Sequence, residues 1–134
     1  MAWIKACEAA VAYNPNDIVK DGVLNPLYGM TGAGLAAGTG EIVVTRSSAV
    51  IDGGNLTGID FTSMNTLTIS GSNDSVRNII VRVNGSDATK FESPQASGSF
   101  SGTLNVSGVT GVGYIELSIG YGYGTGHLYN IIAS

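Results

Sequence analysis

Cysteine is nearly absent from this chain, which has one such residue, Cys7, among 134. A single cysteine cannot form an internal disulfide, so stability has to come from packing or from association with other chains. Glu8 follows Cys7 and no histidine is near it in the sequence, an arrangement that does not activate a thiolate. We therefore expect neither a disulfide framework nor a catalytic cysteine.

Positive charge is also scarce. Six Lys and Arg residues stand against ten Asp and Glu residues, for a formal net charge of −4 and a pI near 4.6. Scattered basic residues cannot neutralise a row of phosphates, so we expect no nucleic-acid partner.

No apolar run approaches the roughly 20 residues that a spanning helix needs, and we expect no membrane partner. Residues 1–8 lack the pattern of a secretory signal peptide, since Glu8 interrupts the apolar stretch.

Residues that suit turns and strands are abundant instead. Gly, Ser, Thr and Asn together make up 55 of the 134 residues, and these residue types are unfavourable inside a helix. The length is enough for one ordinary domain and too short for two. The composition therefore predicts one all-β domain.

The chain changes in character near residue 40. Residues 1–40 contain an Ala-rich stretch, turn formers at 14–17 and 25–26, and five glycines between 29 and 40. We predict an irregular N-terminal arm with a Gly-rich connector over residues 1–40, which becomes ordered only against another chain. A β-sandwich domain is predicted over residues 41–134. The arm residues expected to contact a partner chain are Trp3, Ile4, Tyr13, Leu24 and Tyr28.

From residue 41 onward, short runs of alternating apolar and polar residues are separated by turn clusters, which predicts an antiparallel β-sandwich. The alternation directs Ile79, Val81 and Val83 towards the core. The turn that begins with Asn84-Gly85 is a strong hairpin signal. About eight strands are expected: residues 41–46 with a continuation at 49–51, then 57–61, 65–70, 77–83, 88–91, 100–107, 114–119 and 126–133.

Two parts of the sandwich region resemble known modules. Residues 59–70, Ile-Asp-Phe-Thr-Ser-Met-Asn-Thr-Leu-Thr-Ile-Ser, resemble the start of a strand in small jelly-roll modules of bacteriophage tail and fibre proteins. Residues 104–111, 114–117 and 128–131 resemble the closing strands of those modules and of carbohydrate-binding modules. The resemblance covers residues 41–134 and implies a jelly-roll sandwich.

The resemblance also implies a function. It points to a non-enzymatic bacteriophage virion protein, in a fibre, tail tip or capsid decoration, that mediates assembly or attachment to a host surface. The implied partners are other virion proteins, further copies of the chain with a trimer favoured, and a cell-surface glycan. The implied location is the virion, after synthesis in the host cytoplasm. The alternative is a free-standing carbohydrate-binding module.

The most distinctive segment is the Gly- and Tyr-rich run at residues 120–129. Tyr rings flanked by glycines can lie exposed and stack on sugar rings, while their hydroxyl groups bind sugar hydroxyls. The alternative is that these rings pack at a sheet edge or on a neighbouring subunit, because Tyr is also favoured in protein interfaces. The predicted carbohydrate-binding or interface residues are Tyr121, Tyr123, His127 and Tyr129.

Catalytic chemistry has little support in the sequence. His127 is the only histidine, and no nucleophile motif accompanies it. Glu116 is expected to face outward beside Tyr114, but no second acid can be assigned to make a glycosidase pair. We therefore expect no enzyme activity and no cofactor.

Metal binding is also not expected. The sequence has one His and one Cys, too few ligands for a zinc site of the His and Cys type. Calcium is a candidate because four aspartates fall in or near predicted loops, but these lack the fixed spacing of a calcium loop. They are Asp52, Asp60, Asp74 and Asp87.

Overall fold

The structure, a computed structural model, describes residues 12–75 and 77–134. These residues form two antiparallel β-sheets that pack face to face, so the predicted all-β sandwich is confirmed. No helix in the described part of the chain is long and apolar enough to cross a membrane. The strands are β1 (Asp17–Lys20), β2 (Val23–Leu24), β3 (Gly29–Thr31), β4 (Leu35–Gly38), β5 (Glu41–Arg46), β6 (Gly54–Asp60), β7 (Thr66–Asn73), β8 (Asn78–Val83), β9 (Lys90–Glu92), β10 (Gly98–Asn105), β11 (Val112–Gly120) and β12 (Gly124–Ala133).

The first sheet, called sheet A, is organised around β12. One edge of β12 pairs with β7, which in turn pairs with β10 at the edge of the sheet. The other edge of β12 is shared between two strands: its first half, Gly124–Leu128, pairs with β5, and its second half pairs with β1. Strands β4 and β2 extend the sheet beyond β5 and β1.

The second sheet, called sheet B, has the strand order β3-β6-β11-β8-β9. Strand β11 lies at its centre, paired with β6 on one side and β8 on the other. Every pairing in the sheet is antiparallel. Strand order therefore differs from chain order, and residues far apart in the sequence become neighbours across the sheet.

The core lies between the two sheets and is filled by the alternate side chains of each strand. The predicted inward phases are confirmed, because Ile79, Val81 and Val83 are buried. Asn84 and Gly85 have φ values of 54° and 68° and turn the chain after β8, although the connection to β9 continues to residue 89 and is longer than a two-residue hairpin. The largest fully buried side chains are Phe61, Ile18, Ile42, Leu56, Ile59, Leu67, Ile69, Ile79, Ile115, Leu117, Ile119 and Leu128.

Residues 17–38 differ from the expected irregular arm. They form β1 to β4, and both Ile18 and Val19 are fully buried. A register shift in the β1–β12 pairing between Asp17 and Val19 accommodates two consecutive buried residues, which simple alternation does not give. The boundary at residue 40 thus falls within a β-hairpin, since β4 pairs with β5.

The glycines of this segment explain the difference. Gly22 has a φ of 76°, and a Cβ at this position would lie 1.9 Å from the carbonyl carbon of Gly40. Gly34 is similarly crowded, with a Cβ position 2.2 Å from the backbone nitrogen of Gly53. Such a composition is typical of a flexible or a closely packed connector, and here these glycines allow close contact between backbones.

The expected arm residues therefore have different surroundings. Leu24 and Tyr28 pack against the core, and the Tyr28 hydroxyl donates a hydrogen bond to the carbonyl oxygen of Pro15. Tyr13 is half exposed. Trp3 and Ile4 lie outside the described residues.

Two loop boundaries also differ from expectation. Residues 49–51 form no strand, and Ile51 is largely exposed in the loop between β5 and β6. The expected loop at 71–75 begins later, because β7 continues through Asn73. The inward-facing residues at the end of β7 are Gly71 and Asn73, and both are buried. The sequence predicts a loop at these residues because Gly and Asn favour turns.

Candidate functional site

The outer face of sheet B carries a row of polar side chains that crosses all five strands. Its members are cross-strand neighbours: residue 31 pairs with 55, 55 with 116, 116 with 82, and 82 with 90. Neighbouring strands lie about 4.8 Å apart, so the row is about 19 Å long. The row, called here the charged row, consists of Thr31, Asn55, Glu116, Arg82 and Lys90.

Arg82, within the charged row, has a side chain held by three hydrogen bonds. Its Nε donates a hydrogen bond to Asp87 Oδ1 at 2.7 Å, and its Nη1 donates to Glu116 Oε1 at 3.2 Å and to Ser118 Oγ at 3.3 Å. Asp87 comes from the β8–β9 turn, whereas Glu116 and Ser118 come from β11. The planar guanidinium is therefore held from two sides in one orientation.

Charges on this face are closely balanced. The hydrogen bond to Asp87 raises the pKa of Arg82, and the same bond, together with the charges of Arg82 and Lys90, lowers the pKa of Asp87. Lys90 Nζ also lies 3.0 Å from Glu92 Oε1. Arg82 and Asp87 are thus ionised near neutral pH, and acidic and basic side chains alternate on this face, so no large field of one sign forms.

A second row lies beside the first on β6 and β11. Thr57 pairs with Tyr114 across the strands, directly next to the Asn55–Glu116 pair. The side chains of Asn55, Thr57 and Tyr114 make no hydrogen bond with the other described residues, and Glu116 uses only Oε1. These four neighbours therefore present an amide, two hydroxyls and a carboxylate oxygen to solvent.

The loop tyrosines predicted from the sequence lie elsewhere, in the connection from β11 to β12 at one end of the sandwich. Tyr121 and Tyr123 are 66% and 59% exposed. Each ring has an arginine over it: the guanidinium carbon of Arg77 is 5.6 Å from the Tyr121 centroid, and that of Arg46 is 5.9 Å from the Tyr123 centroid. Arg77 Nε also donates to the carbonyl oxygen of Tyr123 at 2.7 Å. One side of each ring is thus occupied by an arginine.

His127 and Tyr129 lie on β12, on the outer face of sheet A. His127 Nε2 is 2.7 Å from Asp74 Oδ1, and Nδ1 is 2.8 Å from Glu41 Oε2. The Glu41 contact has the distance of an ion pair without hydrogen-bond geometry, and both contacts are most favourable when the ring is protonated. The Tyr129 hydroxyl shares a hydrogen bond with Ser72 Oγ at 2.9 Å. The fold thus divides the four predicted site residues between a loop and a sheet face.

A cleft of about 420 Å³ lies at the edge of sheet B near β3 and β6. Tyr28 and Asp60 are among its lining residues. Burial, followed by the charge of Asp60, raises the pKa of Tyr28, and hydrogen bonds from Thr62 lower the pKa of Asp60. The Asp60 carboxylate in this cleft is therefore ionised, and it accepts its hydrogen bonds from Thr62, two residues further along the chain.

The four loop aspartates do not assemble a metal site. Among the described residues, no three His, Cys, Asp or Glu side chains converge on one point. Asp52 instead accepts a hydrogen bond from the N–H of Ile119 at 2.8 Å, and burial raises its pKa. Asp87 belongs to the Arg82 network and Asp74 to the His127 pair.

The sequence alternation predicts that three residues of this face point outward, but it does not predict how they are arranged. The alternation in β11 directs Tyr114 and Glu116 outward, and the alternation in β8 directs Arg82 outward. Their meeting depends on the pairing of β8 with β11, which are separated by about thirty residues of chain. Strand order is a non-local property, so no local pattern signals this site.

The fold is similar to that of solved carbohydrate-binding modules of family 29. A variant of the module CBM29-2 superposes with a TM-score of 0.64 at 18% sequence identity and covers 92% of both chains. Another CBM29-2 variant, complexed with mannohexaose, has a TM-score of 0.61 at 19% identity and covers 88% of this chain and 89% of that one. CBM29_1 from Piromyces equi has a TM-score of 0.61 at 13% identity and covers 87% of both.

These likenesses show the fold. The jelly-roll expectation is confirmed, and so is the structural resemblance to carbohydrate-binding modules. The resemblance to bacteriophage virion proteins draws no support from these neighbours. No family model matches the chain, and no curated protein matches it.

Proposed function

We propose that this protein is a non-catalytic carbohydrate-binding module that binds an extended oligosaccharide on the outer face of sheet B. The observation that carries the proposal is the charged row with its neighbours Thr57 and Tyr114, a continuous set of polar side chains across five strands. An oligosaccharide presents many hydroxyl groups along its length, and carboxylates, amides and guanidinium groups bind such hydroxyls.

Preorganisation supports the proposal. Arg82 is already fixed by Asp87, Glu116 and Ser118 in the free protein. A ligand that contacts this side chain therefore loses little side-chain entropy on binding. Tyr114 is the aromatic residue that the strands of sheet B direct to this face, where its ring provides a flat apolar surface for a sugar ring.

The structural neighbours suggest the ligands to test. CBM29-2 variants have been solved complexed with mannohexaose and with cellulohexaose. The balanced charges of the face favour an uncharged chain of this kind over a polyanion, because Glu116, Glu92 and Asp87 would repel acidic groups. We expect binding of at least one of the two hexasaccharides.

Isothermal titration calorimetry on three matched Tyr-to-Ala variants locates the site. Tyr114→Ala removes the ring on the charged face and should weaken binding about tenfold or more, which corresponds to about 1.4 kcal/mol. Tyr121→Ala, in the β11–β12 loop, and Tyr129→Ala, on the opposite sheet, should leave the affinity within about twofold. Thermal unfolding of each variant checks that the fold is retained.

Three results of these titrations would contradict the proposed site or the proposed function. Loss of binding in Tyr121→Ala alone would assign the sugar to the loop, where the sequence predicted it. Equal affinities in all three variants, with binding present, would contradict a site at any of these rings. Absence of binding to both hexasaccharides at millimolar concentration would contradict the proposed function for these ligands.

The virion role remains a prediction of the sequence. A role in assembly or host attachment is compatible with glycan binding, but the structural neighbours are named for carbohydrate binding and lend it no support. The same holds for a trimer and for a location in the virion. Identification of the genes adjacent to this one would test the virion role directly.

A further inference from the structure

In the part of the chain that the structure describes, strand β10 forms an unusually long sheet edge that lacks the usual protection. The other edge strands of the described fold, β2, β3, β4 and β9, have two to four residues each, whereas β10 has eight. Proteins usually protect such edges with charge, proline or a bulge. The β10 sequence, Gly-Ser-Phe-Ser-Gly-Thr-Leu-Asn, contains no charged residue and no proline, and its pairing with β7 has no register shift.

The free hydrogen-bonding groups of this edge can be assigned to particular residues. The N–H of Val106 donates to the carbonyl oxygen of Asn65, so the N–H of residue 106 points towards the β7 side. Alternation along an antiparallel ladder then directs the N–H and C=O of Phe100, Gly102 and Leu104 towards β7. The backbone groups that point away from the sheet belong to Ser99, Ser101, Thr103 and Asn105.

We propose that this edge is an interface at which a second copy of the chain adds β10 to β10 in antiparallel register, joining the two A sheets. The strand is self-complementary about Gly102. Ser101 then forms a hydrogen-bonded pair with Thr103 of the partner subunit, and Ser99 pairs with Asn105 of the partner subunit. All four outward-pointing residues are paired in this single register, which is isologous and closes as a two-fold dimer.

The inner side of the same register is also complementary. Phe100 lies opposite Leu104 of the partner subunit, and Gly102 meets Gly102 of the partner subunit at the two-fold axis, where opposing Cα atoms are closest. The ring of Phe91 already covers the inner side of Gly102, and it lies 6.2 Å from the Phe100 ring. Apolar contact therefore accompanies the backbone pairing.

The charge distribution permits a second copy to pair at this edge. The chain has a net charge of −4, so two copies repel each other at most orientations. The outer face next to the edge is free of charge, because Thr66, Thr68, Ser70 and Ser72 of β7 stand opposite Asn105, Thr103, Ser101 and Ser99 of β10. Pairing at this edge keeps the acidic residues of the two copies apart.

Sedimentation velocity across a concentration series tests the association. One pair of strands buries less surface than a standard interface, so we expect the average mass to rise from monomer towards dimer between about 10 µM and about 1 mM. Thr103→Pro removes an outward N–H that has no partner among the described residues and should raise the dimer dissociation constant about tenfold or more.

A matched pair of charged variants guards against a folding defect in the proline variant. Thr103→Lys adds a charge at the edge, whereas Thr68→Lys adds the same charge at its cross-strand neighbour, one strand further from the edge. We expect Thr103→Lys to abolish the dimer and Thr68→Lys to change its dissociation constant less than about threefold.

Amide hydrogen exchange by NMR gives the residue-level readout. The amides of Ser99, Ser101, Thr103 and Asn105 should become about tenfold or more slower to exchange at high than at low concentration, while those of Phe100, Gly102 and Leu104 are protected at both. A monomer throughout the series would overturn the proposal. A dimer with unchanged exchange at these four amides, or one equally sensitive to Thr68→Lys, would overturn it as well.

Discussion

Replacement of Ile18 by alanine tests whether the first strands belong to the folded core. Ile18 lies in β1 and is fully buried between the sheets. Removing three of its carbon atoms loses about 2.4 kcal/mol of transfer free energy at about 0.8 kcal/mol each. The cavity left behind raises the expected loss of unfolding free energy to about 3–4 kcal/mol.

This loss is large compared with the stability of a typical domain, about 5–15 kcal/mol. For a chain of this length it corresponds to a decrease in Tm of about 10 °C or more. Urea unfolding followed by circular dichroism measures it, since the midpoint falls while the slope stays constant. Val23→Ala is the matched control, because Val23 lies in β2 of the same hairpin and is 63% exposed, so its loss should stay below about 0.5 kcal/mol.

The two models of the N-terminal segment give opposite results in this experiment. If residues 1–40 were an irregular arm, Ile18→Ala would behave like Val23→Ala and leave the midpoint unchanged. Such a result would refute the assignment of β1 to the core. A loss of several kcal/mol in Ile18→Ala alone would establish that the sandwich begins before residue 40.

Two further predictions concern a close backbone contact and a buried charge. Gly53→Ala should destabilise the fold more than Gly58→Ala in urea unfolding: both glycines have positive φ, but a Cβ at Gly53 would lie 1.7 Å from the carbonyl oxygen of Leu117 while Gly58 faces open space. Equal losses would contradict the contact. Asp52→Asn keeps an oxygen for the Ile119 N–H and removes a charge that burial disfavours. Because the raised pKa of Asp52 makes ionisation unfavourable in the folded state, the variant should be at least as stable as the wild type at pH 7, and any gain should vanish below the usual aspartate pKa. A variant less stable at pH 7 than at pH 3, relative to wild type, would contradict this.

Several parts of the fold follow from local patterns. Strand β5 has the predicted limits, Glu41–Arg46, and the alternation in β8 and β11 predicts their buried apolar side chains, although Asn78 and Ser118, expected to face outward, are buried as well. Such patterns are reliable because one face of each strand packs on the core and the other meets solvent. The Asn84-Gly85 turn is equally local, since both residues tolerate positive φ.

Other parts depend on contacts that are distant in sequence. Ile18 and Val19 are buried together because β1 pairs irregularly with the end of β12, more than a hundred residues away. Gly22 and Gly34 suggest flexibility in the sequence, whereas their role depends on which backbone lies against them. The candidate site is of the same kind: Glu116 and Arg82 have no sequence relation and meet through the pairing of β11 with β8.

The scarcity of cysteine and of positive charge, and the abundance of Gly, Ser, Thr and Asn, determined the class of this protein by themselves: an acidic, mostly β domain without disulfides. Alternation determined which side chains of the long strands face the core, because burial on one face repeats every two residues. Only the tertiary structure decided the order of the strands, the inclusion of residues 17–38, the charged row of sheet B and the open edge of β10. The physical reason is that side chains on different strands become neighbours through long-range pairing, which no short stretch of sequence encodes alone.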